Sequence, residues 1–453
     1  MGIKGKDLRT VLVLLVLALG MAAPAFAQAT IGGEVSAFGG IFFNASGSFC
    51  AGQYFHPSVS LKLTPSFRSE GLRLKAELTS SLSVEDTGYA GTMKLGEAYA
   101  TLDLAEGLSF TVGSKIISWG TALVSNPENF INPVDVLGQL VSETRSDWLL
   151  PVILASVKYI RGPFSIEAVA LPFFRPNLLP AKTSRWYPAQ LAELDALDGT
   201  TMPSDLPAFS GATFTVHTTP ADLSPALETM QGAVRVGLSL GAMDAGLSGW
   251  YGYTKTPAFD VTTTQGTPIV IDISALYRRQ AALGMDMSAT VFDASVVWLE
   301  SALVLPEYYL GKEHSSLYVA IEKPTLKAAF GMDRAFSLGD IGDLYCAMEG
   351  NAAWILGYDS RLAPATRETE LGATMVAEYR LPLDLFSLRL VIMEPDFLTL
   401  QTTRQYLVRL SMKAKLMDGY SLGAGVTFFN GTAGKIGQYA GNDVAYIALT
   451  ASF

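Results

Sequence analysis

The chain has 453 residues, of which 49% are hydrophobic and only 16% charged, with a mean hydropathy of +0.29 and a formal net charge of −10. That apolar content excludes a disordered chain, and two cysteines exclude a disulfide framework or a Cys-rich zinc module. A helical membrane protein carries apolar runs of ~20 residues, and the only such run here lies at the extreme N-terminus.

That first segment reads as an export address. Lys4, Lys6 and Arg9 precede an apolar stretch from Val11 to Ala23, and Pro24-Ala25-Phe26-Ala27 gives the small-x-small cleavage pattern. The expected cut is before Gln28, so residues 1–27 form a cleaved signal peptide rather than an anchor helix. Its removal takes away three basic residues and one acid, Asp7, leaving a still more acidic chain. An acidic exported protein with no basic cluster is not expected to bind nucleic acid.

From Ile31 onward the pattern alternates. Leu72, Leu74, Ala76, Leu78, Leu82 and Val84 share one face of 72–85, with Arg73, Lys75, Glu77, Thr79, Ser81, Ser83 and Glu85 on the other. Segment 97–104 sets Ala98, Ala100, Leu102 and Leu104 against Glu97, Tyr99, Thr101 and Asp103. Segments 370–380 and 405–416 repeat the alternation, with Glu378, Arg380, Arg409 and Lys413 on their polar faces. Strands of ~10–14 residues exceed the ~5–6 usual in soluble sheets and suit a tilted bilayer crossing.

The expected strands are 31–43, 57–67, 72–85, 92–105, 108–119, 151–161, 163–172, 232–243, 245–255, 278–288, 293–303, 315–323, 325–335, 342–355, 370–381, 384–395, 402–416, 419–430 and 442–453. Short turns at 68–71, 105–107, 161–163, 242–245, 322–324 and 417–419 alternate with long loops at 44–56, 120–150, 173–231, 256–268, 357–369 and 430–441. This describes an all-β, transmembrane, antiparallel up-and-down barrel of the outer-membrane kind over residues 28–453, with long extracellular loops, notably 120–150 and 173–231. Nineteen strands conflict with the even number such a barrel needs, so one strand in 315–355 is split or one in 256–277 is missed. The expectation is about 18 strands, within 16–20.

The last strand alternates Ala445, Ile447, Leu449, Ala451 and Phe453 with Tyr446, Ala448, Thr450 and Ser452. A terminal aromatic resembles the C-terminal signal of bacterial outer-membrane proteins, which implies the barrel-assembly machinery and outer-membrane lipid as partners.

A barrel of this size encloses an aqueous lumen unless loops fill it. Its candidate lining is polar and mixed in sign: Arg73, Lys75, Glu77, Glu97, Asp103, Lys115, Glu378, Arg380, Arg409 and Lys413. The competing reading is that opposite charges on neighbouring strands pair as a ladder that stiffens the wall. Loop 173–231 holds Pro176, Pro180, Pro188, Pro203, Pro207, Pro220 and Pro225, with a helical stretch at 189–197. Long loops of this kind are functional lids or folded inserts. It is expected to fold over or into the mouth, the alternative being an outward-facing surface loop.

Signals of catalysis are poor. His56, His217 and His314 are scattered over loops without zinc spacing. The G-x-S-x-G matches around Ser239 and Ser421 lie in alternating strands, not at the strand-to-helix turn of a nucleophile elbow. Cys50 falls in a loop and Cys346 in a strand. Asn126, Asn132 and Asp135 read as turn-stabilising rather than cation-binding. No catalytic residue, metal or cofactor is expected.

Residues 115–180 carry a W-G pair (Trp119, Gly120), an I-N-P-V-D-V segment (Ile131, Asn132, Pro133, Val134, Asp135, Val136), an L-P-V segment (Leu150, Pro151, Val152), and Ser165, Glu167 and Ala168 in the strand that follows. This region resembles a family of large Gram-negative outer-membrane proteins known only as a domain of unknown function. The resemblance covers about 65 residues and implies an outer-membrane barrel tied to movement of hydrophobic compounds or lipids; it transfers no catalytic or binding residue. On the residues themselves, Pro127 and Pro133 restrict the loop and bias the preceding Asn away from helix. Trp119, Asn132, Pro133 and Asp135 are therefore the loop-motif candidates.

The chain thus reads as an outer-membrane channel passing small solutes through a porin-like aqueous lumen. The alternatives are a transporter of hydrophobic compounds or lipids, and a surface structural or adhesion barrel.

Overall fold

The computed structural model describes residues 28–43, 57–85, 88–142, 145–201, 211–221, 223, 227–264, 269–292, 294–312, 318–362 and 366–453. The expected signal peptide, Cys50, His56 and His314 lie outside them. In chain order the strands are β1 (Gln28–Phe43), β2 (Ser58–Ser69), β3 (Leu72–Glu85), β4 (Gly88–Ala105), β5 (Leu108–Lys115), β6 (Val152–Arg161), β7 (Phe164–Leu171), β8 (Thr213–His217), β9 (Gln231–Leu240), β10 (Met243–Tyr253), β11 (Ala258–Thr264), β12 (Val270–Leu276), β13 (Arg279–Val291), β14 (Ser295–Lys312), β15 (Tyr318–Ser337), β16 (Asp343–Ile355), β17 (Thr369–Arg380), β18 (Phe386–Glu394), β19 (Tyr406–Met417), β20 (Tyr420–Asn430) and β21 (Asp443–Ser452).

All but β8, β11 and β12 join one antiparallel sheet of 18 strands. Each barrel strand pairs with its neighbours in the sequence, and β1 pairs with both β2 and β21, which closes the ring. Closure is what a bilayer demands, because an open edge in hydrocarbon would leave backbone groups unsatisfied. This is the architecture of an outer-membrane barrel.

The period-2 pattern sorts the two faces. Met348 opposes Met375 and both are exposed on the outside, while the adjacent pair Glu349 and Thr374 is buried within. Leu283, Phe330, Leu410, Ile447 and Leu449 continue the exposed apolar face around the ring. The positive hydropathy of a chain without a long apolar run is thus an outward belt of alternate residues. No helix among the described residues is long and apolar enough to cross a membrane.

The odd strand count resolves in 315–355. The segments expected at 315–323 and 325–335 are the single strand β15, with Pro324 inside it. A proline normally breaks a ladder because it lacks a donor. Here the β14–β15 register shifts between Val304/Glu307, where Pro306 lies across from Pro324, so the two missing donors coincide at one irregularity. The same irregularity lets β14 run on to Lys312, well past the expected end at 303. Region 256–277 does contain strands, but β11 and β12 pair with each other and β12 runs parallel to β8, making a separate three-stranded sheet.

Candidate functional site

The expected strand 108–119 stops at Lys115. From there residues 116–142 and 145–151 turn inward, so that Ile117, Trp119, Ala122, Phe130, Ile131 and Trp148 are all buried. The long loop expected at 120–150 thus folds into the barrel as an inner loop.

Two wall carboxylates hold it there. Glu300 on β14 and Glu349 on β16 are both almost fully buried on the inward face. Glu300 accepts the backbone N–H groups of Thr121 (2.9 Å), Ala122 (2.9 Å) and Glu128 (2.7 Å). Glu349 accepts those of Leu123 (2.5 Å), Val124 (3.2 Å) and Ser125 (2.7 Å), the Ser125 hydroxyl (2.9 Å) and the indole Nε1–H of Trp298 (3.1 Å). Hydrogen bonds to an ionised acceptor are the strong ones. The carboxylates do for this stretch what a helix or sheet would do: they satisfy donors that burial strips of water.

Gly120 explains the W-G pair. It has φ +79°, and a Cβ there would lie 2.3 Å from the Glu300 carboxylate. Only glycine permits both that backbone and that approach. Gly284 on β13 leaves room for Glu128, whose Oε1 would stand 2.0 Å from an added Cβ. Glu128 accepts from the Ser248 hydroxyl at 2.5 Å and lies 3.6 Å from the Arg235 guanidinium, which also pairs with Asp286. Phe130 stacks on Trp250 with ring centres 6.2 Å apart.

The remaining motif residues set the loop's own shape. The Asn132 side chain pairs with the backbone of Ile117, accepting its N–H at 3.0 Å and donating to its carbonyl. Pro133 is buried and its carbonyl accepts from Leu150 N–H at 2.8 Å. Asp135 caps the helix Val136–Val141 through Gly138 N–H at 3.1 Å. Trp119 donates to Glu167 at 3.3 Å. Arg409, expected to line the lumen, is instead buried beneath this loop and donates to the carbonyls of Leu140 and Ser142. Those carbonyls belong to the last turn and C-cap of the Val136–Val141 helix, where no intrahelical N–H reaches them.

The other candidate lining residues divide between pairing and open wall. Arg73–Asp103 (2.8 Å), Lys75–Glu97 (2.8 Å) and Lys62–Glu77 (3.1 Å) are cross-strand ion pairs. Glu378 sits between Arg380 (2.6 Å) and Arg389 (3.4 Å). Lys115 lies over the Tyr99 ring at 5.0 Å. Lys413 lines a recess at the short-turn rim with Arg380. Ser239 and Ser421 are wall residues of β9 and β20, and the Ser239 hydroxyl donates to Asp244 across the hairpin.

Below the inner loop, towards the short turns, lies a polar chamber of about 550 Å³. Arg73, Lys75, Lys115, Lys158 and Arg235 line it against a single carboxylate, Glu167, together with the hydroxyls of Tyr99, Thr101, Thr111 and Ser156. On the other side of the loop, against β17–β19, is a second cavity of about 520 Å³ with a mostly apolar wall.

Residues 172–201 and 211–221, between β7 and β9, lie across the mouth. The helix expected at 189–197 is present as Ala189–Leu197, and its Leu194 packs with Phe214, Ile271 and Ile273 of the small sheet. Ahead of it, Trp186 is buried against Phe429, Ile436 and Tyr439, half-way round the ring from the strands that flank this segment. The loop therefore spans the opening. Leu178 bridges to Asp135 and ties it to the inner loop.

The helix is also fixed by charge. Asp195 accepts from Lys182 (2.6 Å), Thr218 (2.6 Å) and Tyr187 (2.9 Å). Burial pushes its carboxyl up, but these three donors outweigh burial and hold it below the usual range. A depressed carboxyl adds stability above its ordinary value and loses it as pH falls through the depressed one. We expect an acid protease to cut this segment only at the most acid end of its range. The Asp195→Asn variant should be cut at milder pH, where the parent resists.

Among solved structures, the chain is similar to OccAB3 of Acinetobacter baumannii (9% identity over 94% of this chain and 99% of that one, TM-score 0.48). It is also similar to OpdQ of Pseudomonas aeruginosa (9%, 94% and 97%, TM-score 0.46) and to the outer membrane channel DcaP of Acinetobacter baumannii (10%, 95% and 99%, TM-score 0.42). No family model matches the chain, and no curated protein matches it in sequence.

Proposed function

We propose that the chain is an outer-membrane channel that passes small polar solutes, favouring anions, through a lumen narrowed by the inner loop. The observation that carries this reading is the polar chamber beneath that loop, with five cationic side chains, one carboxylate and a set of hydroxyls on its wall. Such a wall replaces part of a solute's hydration, and a low-dielectric surround concentrates ions of the opposite sign. Three of the five cations already face acids, so the preference rests on Lys115 and Lys158.

The resemblance of residues 115–180 belongs to this reading, because Trp119, Gly120, Asn132, Pro133 and Asp135 are what seat the loop. Export by removal of residues 1–27, and insertion through recognition of the last strand and Phe453 by the barrel-assembly machinery, complete the proposal.

Planar-bilayer recording tests it. Ohmic steps are expected, with a reversal potential in a salt gradient that favours the anion. Lys115→Glu combined with Lys158→Glu should move that potential towards the cation. Folded, inserted protein that gives no steps overturns the reading.

A further inference from the structure

The cavity between the inner loop and β17–β19 does not fit the polar path. A wall meant only for water and ions has no use for Leu140, Val376, Val391, Met393 and Leu407 gathered round about 520 Å³. That volume falls among those of small-molecule pockets, which are mostly apolar with a few placed polar groups. Three cations reach this wall: Arg409 is engaged with the carbonyls of Leu140 and Ser142, Lys435 pairs with Glu370, and the third is Arg389. Its Nε is buried without a hydrogen-bond partner in the structure, and its only ion pair among the described residues is to Glu378 at 3.4 Å. Glu378 is held more closely by Arg380, at 2.6 Å. Two guanidiniums sharing one carboxylate leave Arg389 only partly neutralised where it meets the cavity. A buried donor without an acceptor is costly to keep.

We propose that this cavity binds an amphipathic monoanion, a single carboxylate on an alkyl body, with the head at Arg389 and the tail against Val376, Val391 and Met393. Size, one cation with an unpartnered buried donor, and a mostly apolar remainder together select this class over a simple inorganic ion, which gains nothing from the apolar wall. They also select it over an alkyl cation, which Arg389 repels. The site stands whether or not the chamber below the loop conducts.

The test uses full-length protein in lipid nanodiscs and saturation-transfer NMR with octanoate, with protein-free nanodiscs as the blank. Saturable octanoate binding is expected, displaced by neither acetate nor octyltrimethylammonium at equal concentration. Arg389→Gln should weaken it at least tenfold. Met393→Trp, which fills the cavity from its apolar side, should abolish it while the barrel keeps its heat-resistant mobility on a gel. An octanoate signal no larger than the blank overturns the proposal. So does displacement by acetate or by the alkyl cation, or parental binding in both variants.

Discussion

Glu349→Ala is expected to raise single-channel conductance several-fold, and the Glu300→Ala/Glu349→Ala pair to raise it further and make it noisy. The reason lies in who the partners are. Glu349 accepts three consecutive backbone N–H groups, from Leu123 to Ser125, and Glu300 accepts three more on either side of them. Leaving a buried donor unsatisfied costs about 1–3 kcal/mol per group. Losing one carboxylate therefore makes the buried position of the inner loop unfavourable, and the loop gains by moving to where water reaches its backbone. The barrel does not depend on either acid, because the ladders on both sides of β14 and β16 are made by backbone groups. Glu349→Gln should fall between parent and Ala, since it keeps an acceptor oxygen but turns an amide donor towards other donors. Recording in planar bilayers checks the series, with heat-resistant gel mobility as the control for folding. Unchanged conductance in the double variant would show that the loop does not limit the pore.

The same two residues mark the boundary of what the sequence discloses. The strands are legible because lipid on one side and polar groups on the other force a period of two that few other folds sustain over ten residues. Segments 370–380 and 405–416 are read with the correct faces for that reason: Met375 and Leu410 are exposed outside, while Glu378 and Arg409 are buried within. Pro324 misleads because its local meaning, a missing donor, is the meaning of a turn; only the register reveals Pro306 across from it. Strands β11 and β12 escape because they pair with each other outside the barrel, and β12 finds its second partner, β8, within the separate loop 173–231. In the site, the W-G and I-N-P-V-D-V residues stand out as special backbone positions, and Gly120 and Asn132 are special in just that way. Glu300 and Glu349 do not stand out. Each is a lone acid at an inward position of an apolar strand, indistinguishable from a lumen-lining charge, and what they bind is backbone, which every sequence has. Arg409 differs in the mirror sense: its polarity reads as open lumen, whereas its guanidinium is engaged with the carbonyls of Leu140 and Ser142 and the Thr427 hydroxyl.

Trp186→Ala is the second substitution with a large expected effect, and it acts on the mouth. The segment between β7 and β9 crosses the opening and is fastened on the far side mainly by one side chain. Trp186 meets Phe429 at 5.2 Å, Tyr439 at 5.6 Å and Phe42 at 6.3 Å between ring centres. Polar contacts there include Asn442 donating to the Arg185 carbonyl at 3.1 Å, Ala189 N–H donating to Gln438 at 2.9 Å, and the Arg185 guanidinium 4.5 Å from the Phe42 ring centre. Truncating a buried Trp to Ala costs about 3–5 kcal/mol in a packed core, which exceeds what two partly exposed hydrogen bonds return. The far end of the segment should therefore detach, while the near end stays held by the small sheet, where Leu194 packs against Phe214 and Ile273. Hydrogen exchange should report this as lost protection over residues 184–192 with protection of 213–217 retained. Conductance should rise, though less than on release of the inner loop, because the mouth segment covers the entrance whereas the inner loop occupies the lumen itself. Combining Trp186→Ala with Glu349→Ala should then give more than the sum of the two separate increases. Either barrier alone still limits flow in the single variants, and Leu178 at the bridge to Asp135 couples the two loops.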